Sequence, residues 1–161
     1  MKYNYTQQRS DYLTSQELLA RIQFELNLCG MYQEKFDIDV CCSTKNIPAK
    51  KHYIEGEYNG LELPWGKLNY CNPPFKKSDL WVKKARKEMF KGNSSVLLIP
   101  ARTERAYWQK YILCDGRAAN NPKVIFLQHG YGFLNPDTRE ALGAYKNPLA
   151  IVIFKGMKNE D

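Results

Sequence analysis

Apolar positions along the chain fall into two periods. Leu18, Leu19, Ile22 and Leu26 stand at helical spacing behind Thr14-x-x-Glu17, a capping box, and the run stops at Cys29-Gly30. Phe36-Asp37-Ile38-Asp39-Val40-Cys41 reads as a strand with an acidic residue near its carboxyl end. From Ser43 to Gly60 the chain is polar and loop-like, with room for one short strand around His52-Tyr53-Ile54. Leu68 to Cys71 is a short buried strand ending at Asn72-Pro73-Pro74-Phe75. Ser78 then caps a helix whose Trp81, Val82, Ala85 and Met89 line one side, up to Gly92. Ser95 to Pro100 is uninterrupted and β-branched, as expected of a parallel strand covered on both faces. Thr103 caps a helix carrying Tyr107, Trp108, Tyr111 and Ile112. After a polar connection from Cys114 to Pro122 come a strand at Val124 to Leu127, a long polar loop from Gln128 to Pro148, and a last strand at Leu149 to Phe154. Residues 1–13 form a tyrosine-rich arm. Helices alternate with strands, which predicts one α/β domain with a mostly parallel sheet and an antiparallel last strand.

Composition narrows the partner. The 161 residues carry a formal net charge of +7, and the sequence pI is about 9.1, which favours a polyanion such as nucleic acid over an acidic protein or a neutral metabolite. Lys83, Lys84, Lys87 and Lys91 fall on one side of the second helix, with Lys76, Lys77 and Arg86 nearby, a face that either holds phosphates or is simply solvated. The amino terminus lacks the apolar core of a secretion signal, and no apolar run approaches the ~18 residues of a membrane span, so a soluble intracellular protein is expected. Five cysteines, two of them adjacent, make no disulfide framework. Cys29, Cys41, Cys42 and His52 lack the paired spacing of structural zinc, and no metal is expected.

The chemistry concentrates at Asn72-Pro73-Pro74-Phe75. Two prolines remove two backbone donors and fix an extended turn, and the asparagine before them is held out of the helical region. A carboxamide, free carbonyls and a flat ring within four residues suit a planar group bearing an amino nitrogen, such as a nucleobase. The same tetrapeptide also serves as an ordinary strand-ending turn. Asp39 stands where a doubly wound sheet makes ligand contacts, or where a carboxylate caps the next turn. Arg102, just past the strand ending at Pro100, sits at the same edge.

These pieces recur together in a known family. Asp39-Val40-Cys41-Cys42, Asn59-Gly60-Leu61 with Trp65, Cys71-Asn72-Pro73-Pro74-Phe75, Leu98-Ile99-Pro100-Ala101-Arg102-Thr103 with Trp108, then Phe126-Leu127 and Pro148 resemble, in that order, the phage-type (Dam-like) DNA adenine methyltransferases. The resemblance covers roughly residues 11–155. It implies a Rossmann-like fold that binds S-adenosyl-L-methionine and methylates the exocyclic N-6 amino group of adenine in DNA, in the cytoplasm of a phage's host. It assigns the catalytic site to Asn72, Pro73, Pro74 and Phe75, where the Asn72 side chain and the Pro73 carbonyl accept from the target amino group and Phe75 stacks on the base. The candidate cofactor contacts are Thr14, Asp39, Cys41, Asn59, Leu61 and Asn72. Double-stranded DNA with a flipped adenine is the expected partner, and Lys76, Lys77, Arg102, Tyr131 and Arg139 are the candidate DNA contacts, with residues 128–148 as the target-recognition loop. The sequence departs from the family pattern in three places: no glycine-rich turn follows Asp39, Asn59 replaces a common aspartate, and Phe75 replaces a common tyrosine. The alternatives are the same site acting on RNA adenine or on a protein glutamine, and an inactive nucleic-acid-binding module on this fold.

Overall fold

The computed structural model describes residues 11–114 and 122–158, so most of the expected arm and most of the 114–122 connection lie outside the described residues. Nine strands and two α-helices are described: β1 (Leu13–Thr14), α1 (Gln16–Leu28), β2 (Phe36–Cys42), β3 (Ala49–Ile54), β4 (Leu68–Cys71), α2 (Ser78–Phe90), β5 (Ser94–Pro100), β6 (Lys123–Phe126), β7 (Gly132–Leu134), β8 (Ala141–Ala144) and β9 (Leu149–Phe154). Six strands form the main sheet in the order β3-β2-β4-β5-β9-β6. β2 runs parallel to β3 and β4, and β4 parallel to β5, whereas β9 is antiparallel to both of its neighbours. A mixed α/β architecture with a mostly parallel sheet and an antiparallel last strand is therefore observed.

The two faces of this sheet are covered separately because side chains alternate along each strand. In β5, Val96 and Leu98 join Leu18, Ile22 and Leu26 of α1 on one face. Leu97 and Ile99 join Val82, Ala85 and Met89 of α2 on the other. All four β5 side chains are fully buried, and each such burial is worth ~1.5–3 kcal/mol.

Local details correct the sequence reading. Ser15, not Thr14, caps α1, its Oγ accepting from the Leu18 N–H at 3.3 Å, because Thr14 is drawn into β1. A 3-10 turn, Phe75–Lys77, precedes α2, and Ser78 lies inside the helix, its hydroxyl donating to the Phe75 carbonyl at 2.9 Å. Thr103 does not cap a helix. Its carbonyl accepts from Gln109, and the following helical segment, Trp108–Leu113, is a π-helix in which Trp108 and Ile112 are buried. Part of the basic side of α2 is structural: Lys84 and Lys91 each lie 3.0 Å from the buried Glu88, and Arg86 donates to the Tyr111 carbonyl. Burial works to raise the Glu88 pKa, but bonds from Asn93, Lys91 and Lys84 outweigh it and hold the carboxyl ionised below its ordinary range.

Two regions expected to be irregular are ordered. β3 spans Ala49–Ile54 parallel to β2, so residues 43–48 must return the chain along the whole strand, where a parallel crossover ordinarily takes a dozen residues or more. Ile47 of this short crossover is buried against the α1 face. Within 128–148, β7 and β8 pair as a hairpin, and β1 adds to it as a third strand, with Thr14 opposite Phe133. Gly132 is required in the hairpin, since a Cβ there would lie 1.8 Å from the Gly143 carbonyl oxygen. Among the described residues, no helix is long and apolar enough to cross a membrane.

Candidate active site

β4 delivers Asn72 to the carboxyl edge of the main sheet, and the prolines after it stop further pairing. The Asn72 amide nitrogen donates to the Tyr12 carbonyl at 2.8 Å and reaches Thr14 Oγ1 at 3.4 Å. Thr14 is in turn hydrogen-bonded to the hydroxyl of Tyr70, two residues before Asn72. A backbone carbonyl can only accept, so the amide nitrogen must face Tyr12, and Oδ1 is turned away from it as an acceptor. The Phe75 ring lies edge-on to Phe133 at 5.8 Å and to Tyr145 at 5.5 Å, and Tyr12 lies 6.3 Å from Phe133. The end of the arm and the hairpin thus converge on the tetrapeptide. Sequence reasoning missed Tyr12, Tyr70, Phe133 and Tyr145 in these roles because their contacts join positions far apart in the chain, from Thr14 with Tyr70 to Tyr12 with Phe133.

Two adjoining hollows open beside Asn72. One is lined by Thr14, Asp39, Cys41, Ser43, Asn72 and Pro74, the other, of about 270 Å³, by Cys41, Glu55, Asn59, Leu61, Pro74 and Lys77. Every candidate cofactor contact therefore lines one of them. Asp39 is 2% exposed, and its Oδ1 has no hydrogen-bond partner among the described residues; neither does Ser43 Oγ beside the same hollow. Burial pushes the Asp39 carboxyl up to about 7, against the lowering effect of the Cys41 N–H. Gly60 lets the second wall close, since a Cβ there would sit 2.0 Å from the Val40 carbonyl oxygen and 3.0 Å from the Trp81 ring. Asn59 Oδ1 accepts from the Leu61 N–H at 3.1 Å, which folds this wall on itself. Glu55, just past β3, was not singled out from sequence, because the short strand expected around 52–54 gave no sign of running parallel to β2.

On the other side of the tetrapeptide lies an open cleft of about 860 Å³, bordered by Phe75, Tyr145 and Asn147 and by five cations, Lys76, Lys83, Arg102, Arg105 and Lys110. Asp79 is the acid on its wall, and Glu104 pairs with Arg102 at 2.9 Å and with Arg105 at 3.4 Å. Of the candidate DNA contacts, Lys76 and Arg102 meet here. Lys77 faces the second hollow instead. Tyr131 packs toward α1 beside Arg21, and Arg139, at φ +60°, donates to the Lys45 carbonyl at the hairpin tip.

The family model described as DNA N-6-adenine-methyltransferase (Dam) matches residues 9–161. The chain belongs to the Dam family. The resemblance seen in its motifs is thereby borne out. Among Dam-family relatives, the DNA N-6-adenine-methyltransferase of Escherichia phage T1 is 33% identical over 97 residues, 59% of this chain and 37% of the phage protein. The chain thus matches little more than a third of that relative's length. In this Dam-family chain the tetrapeptide is a partition, with Asn72 and Pro74 lining the hollows and Phe75 lining the cleft.

Proposed function

We propose that this chain is a Rossmann-like, S-adenosyl-L-methionine-dependent methyltransferase acting on the N-6 amino group of adenine in double-stranded DNA. The observation that carries the reading is the partition itself: one acceptor-bearing tetrapeptide separates a polar pair of hollows from a basic cleft. The residues of the hollows fit the cofactor, since the orphaned Asp39 oxygen suits a cationic amine and ionises readily once a positive charge faces it. Asp39, Ser43 and Thr14 would hold the amino-acid end and Cys41, Glu55, Asn59 and Leu61 the nucleoside end. When bound, S-adenosyl-L-methionine supplies a methyl group on a sulfonium, a leaving group that needs no acid to depart.

The chain's own residues do the rest by positioning. The amino nitrogen of adenine is a poor nucleophile because its lone pair is delocalised into the ring. Asn72 Oδ1 and the Pro73 carbonyl accept its two hydrogens and draw them out of plane, which returns electron density to nitrogen. Phe75 stacks on the flipped base, and Lys76, Lys83, Arg102, Arg105 and Lys110 hold phosphates along the cleft, offsetting the few kcal/mol that flipping costs. From the 128–148 segment, Tyr145 and Asn147, which border the cleft, would meet the neighbouring bases, with Tyr131 and Arg139 farther from it. Transfer of labelled methyl to unmethylated duplex DNA, followed by nucleoside analysis, tests the reading. N-6-methyladenine from the wild type and none from Asn72→Ala is expected, and label appearing only in RNA or protein would overturn it.

A further inference from the structure

The geometry points to Thr14 and Tyr70 as positioning residues that hold the Asn72 amide in the orientation the Tyr12 carbonyl gives it, so that its acceptor oxygen, and not its nitrogen, meets the target amino group. The inference rests on the methyltransferase reading for its meaning, but not for its geometry. Asparagine has two chemically opposite ends of nearly the same shape, and the reaction tolerates one of them only, because a donor aimed at an amino group repels it. Something must therefore hold the nitrogen back.

The structure holds it with a chain of three partners. The Tyr12 carbonyl takes the Asn72 N–H at 2.8 Å, and Thr14 Oγ1 lies 3.4 Å from the same nitrogen. Tyr70 is 1% exposed, and Thr14 is the hydrogen-bond partner of its hydroxyl among the described residues. A buried phenol that left its proton unpaired would be disfavoured, so Tyr70 donates to Thr14. Thr14 Oγ1 then offers its second lone pair to Asn72, while its own proton is left to point into the cofactor hollow, which Thr14 lines. Because that proton stays free, it is the Tyr12 carbonyl, able only to accept, that decides the direction of the amide, and the buried phenol holds the Thr14 hydroxyl in place as a second support for the nitrogen.

The supporting backbone is itself fixed from both sides. Thr14 pairs with Phe133 of β7, and its carbonyl accepts from Asn46 of the β2–β3 crossover at 2.9 Å. Tyr12, Thr14 and Asn72 are thereby held in one register by elements that come from three distant parts of the chain.

Tyr70→Phe and Thr14→Val each remove one link at nearly constant volume, and Thr14→Ser keeps the hydroxyl. The test measures single-turnover methyl transfer with saturating cofactor and duplex DNA, the dissociation constants of both, and the side-chain amide signal of Asn72 in 15N-labelled protein, assigned by its loss in Asn72→Ala. The expected result is a fall of about tenfold in the transfer rate for either variant, an unchanged DNA dissociation constant in both, an unchanged cofactor dissociation constant in Tyr70→Phe, which lies outside the cofactor contacts, a double variant little worse than the singles, and recovery in Thr14→Ser. In the spectrum, the Asn72 amide protons lose their protection from exchange in Tyr70→Phe. A rate equal to the wild type, or weaker cofactor binding with an unchanged rate at saturation, would overturn the inference. If the wild type transfers nothing to DNA, the methyltransferase reading fails, and the amide signal alone decides: protection that persists in both variants overturns the relay, and protection lost in both upholds its geometry.

Discussion

Replacing Asn72 with aspartate separates two accounts of the site that alanine cannot. Aspartate keeps an oxygen acceptor and adds charge, so if acceptor strength alone governs the rate, Asn72→Asp should match or exceed the wild type. The structure predicts the opposite. The position of the amide nitrogen, 2.8 Å from the Tyr12 carbonyl oxygen, would be taken by a second oxygen, which loses the hydrogen bond and leaves two acceptors face to face. Thr14 can turn its proton to the new carboxylate, so the Tyr12 contact carries most of the cost. That cost is ~1.4–3 kcal/mol, or roughly a 10- to 150-fold loss of the aimed rotamer and of the single-turnover rate. Protonation restores a donor toward Tyr12, and a partly buried carboxyl facing a carbonyl titrates above the ordinary aspartate range. The ratio of variant to wild-type rate should therefore rise as pH falls from about 8 to about 5.5. Labelled-methyl transfer under single-turnover conditions, with both proteins assayed at each pH, measures that ratio. A variant as fast as the wild type, with a ratio flat in pH, would refute the reasoning.

The buried Asp39 predicts a trade between stability and binding. Its folded pKa of about 7 exceeds the unfolded ~3.9, so the folded state binds the extra proton between those values, and the stability it contributes is full below about pH 4 and lost as pH rises through about 7, on the order of 4 kcal/mol in all. Without cofactor, Asp39→Asn should hold its melting temperature from pH 5 to 8 where the wild type declines, while calorimetry shows weaker S-adenosyl-L-methionine binding; equal decline in both would count against an ionising Asp39. Gly60→Ala should cost ~1–3 kcal/mol and loosen cofactor binding, because the added methyl meets the Val40 carbonyl rather than a yielding side chain, and an unchanged melting temperature would contradict that contact. Arg105→Ala and Lys110→Ala should each flatten the salt dependence of DNA affinity by ~0.9 in the log–log slope, and a slope unaltered by both would remove these cations from the interface.

Much of the fold was legible because the sheet's centre is written in continuous apolar runs. Leu68–Cys71 and Leu149–Phe154 match their expected bounds, and Ser94–Pro100 differs by one residue. Gly30 and Gly92, with φ of +67° and +86°, end helices where glycine signalled an end. The tetrapeptide was legible as a site for the same local reason: its prolines fix its own geometry. What escaped was long-range. The β7–β8 hairpin carries no alternation, since it is short and Gly132 and Gly143 meet backbone to backbone at its open end. β3 is lysine-rich and exposed at one edge of the sheet, so its residues lack the apolar period of a strand. Thr14 satisfied a capping pattern that Ser15 fulfils, because pairing with Phe133 outweighs one side-chain cap. Lys84 and Lys91 looked available for phosphate until the buried Glu88 between them was seen.

The crossover between β2 and β3 has almost no slack. Seven steps of chain from Cys42 to Ala49 reach at most ~25 Å, and the strand they retrace is ~20 Å long, before any rise over the sheet face. Deleting one residue from 43–48 stretches the segment to its limit, and deleting two makes the parallel pairing unreachable. Inserting residues does the reverse, freeing Ser43 and Asn46 from the wall of the hollow and from β1. Length is therefore constrained here more tightly than residue identity, and family members that keep this crossover should vary in its letters but not in their number.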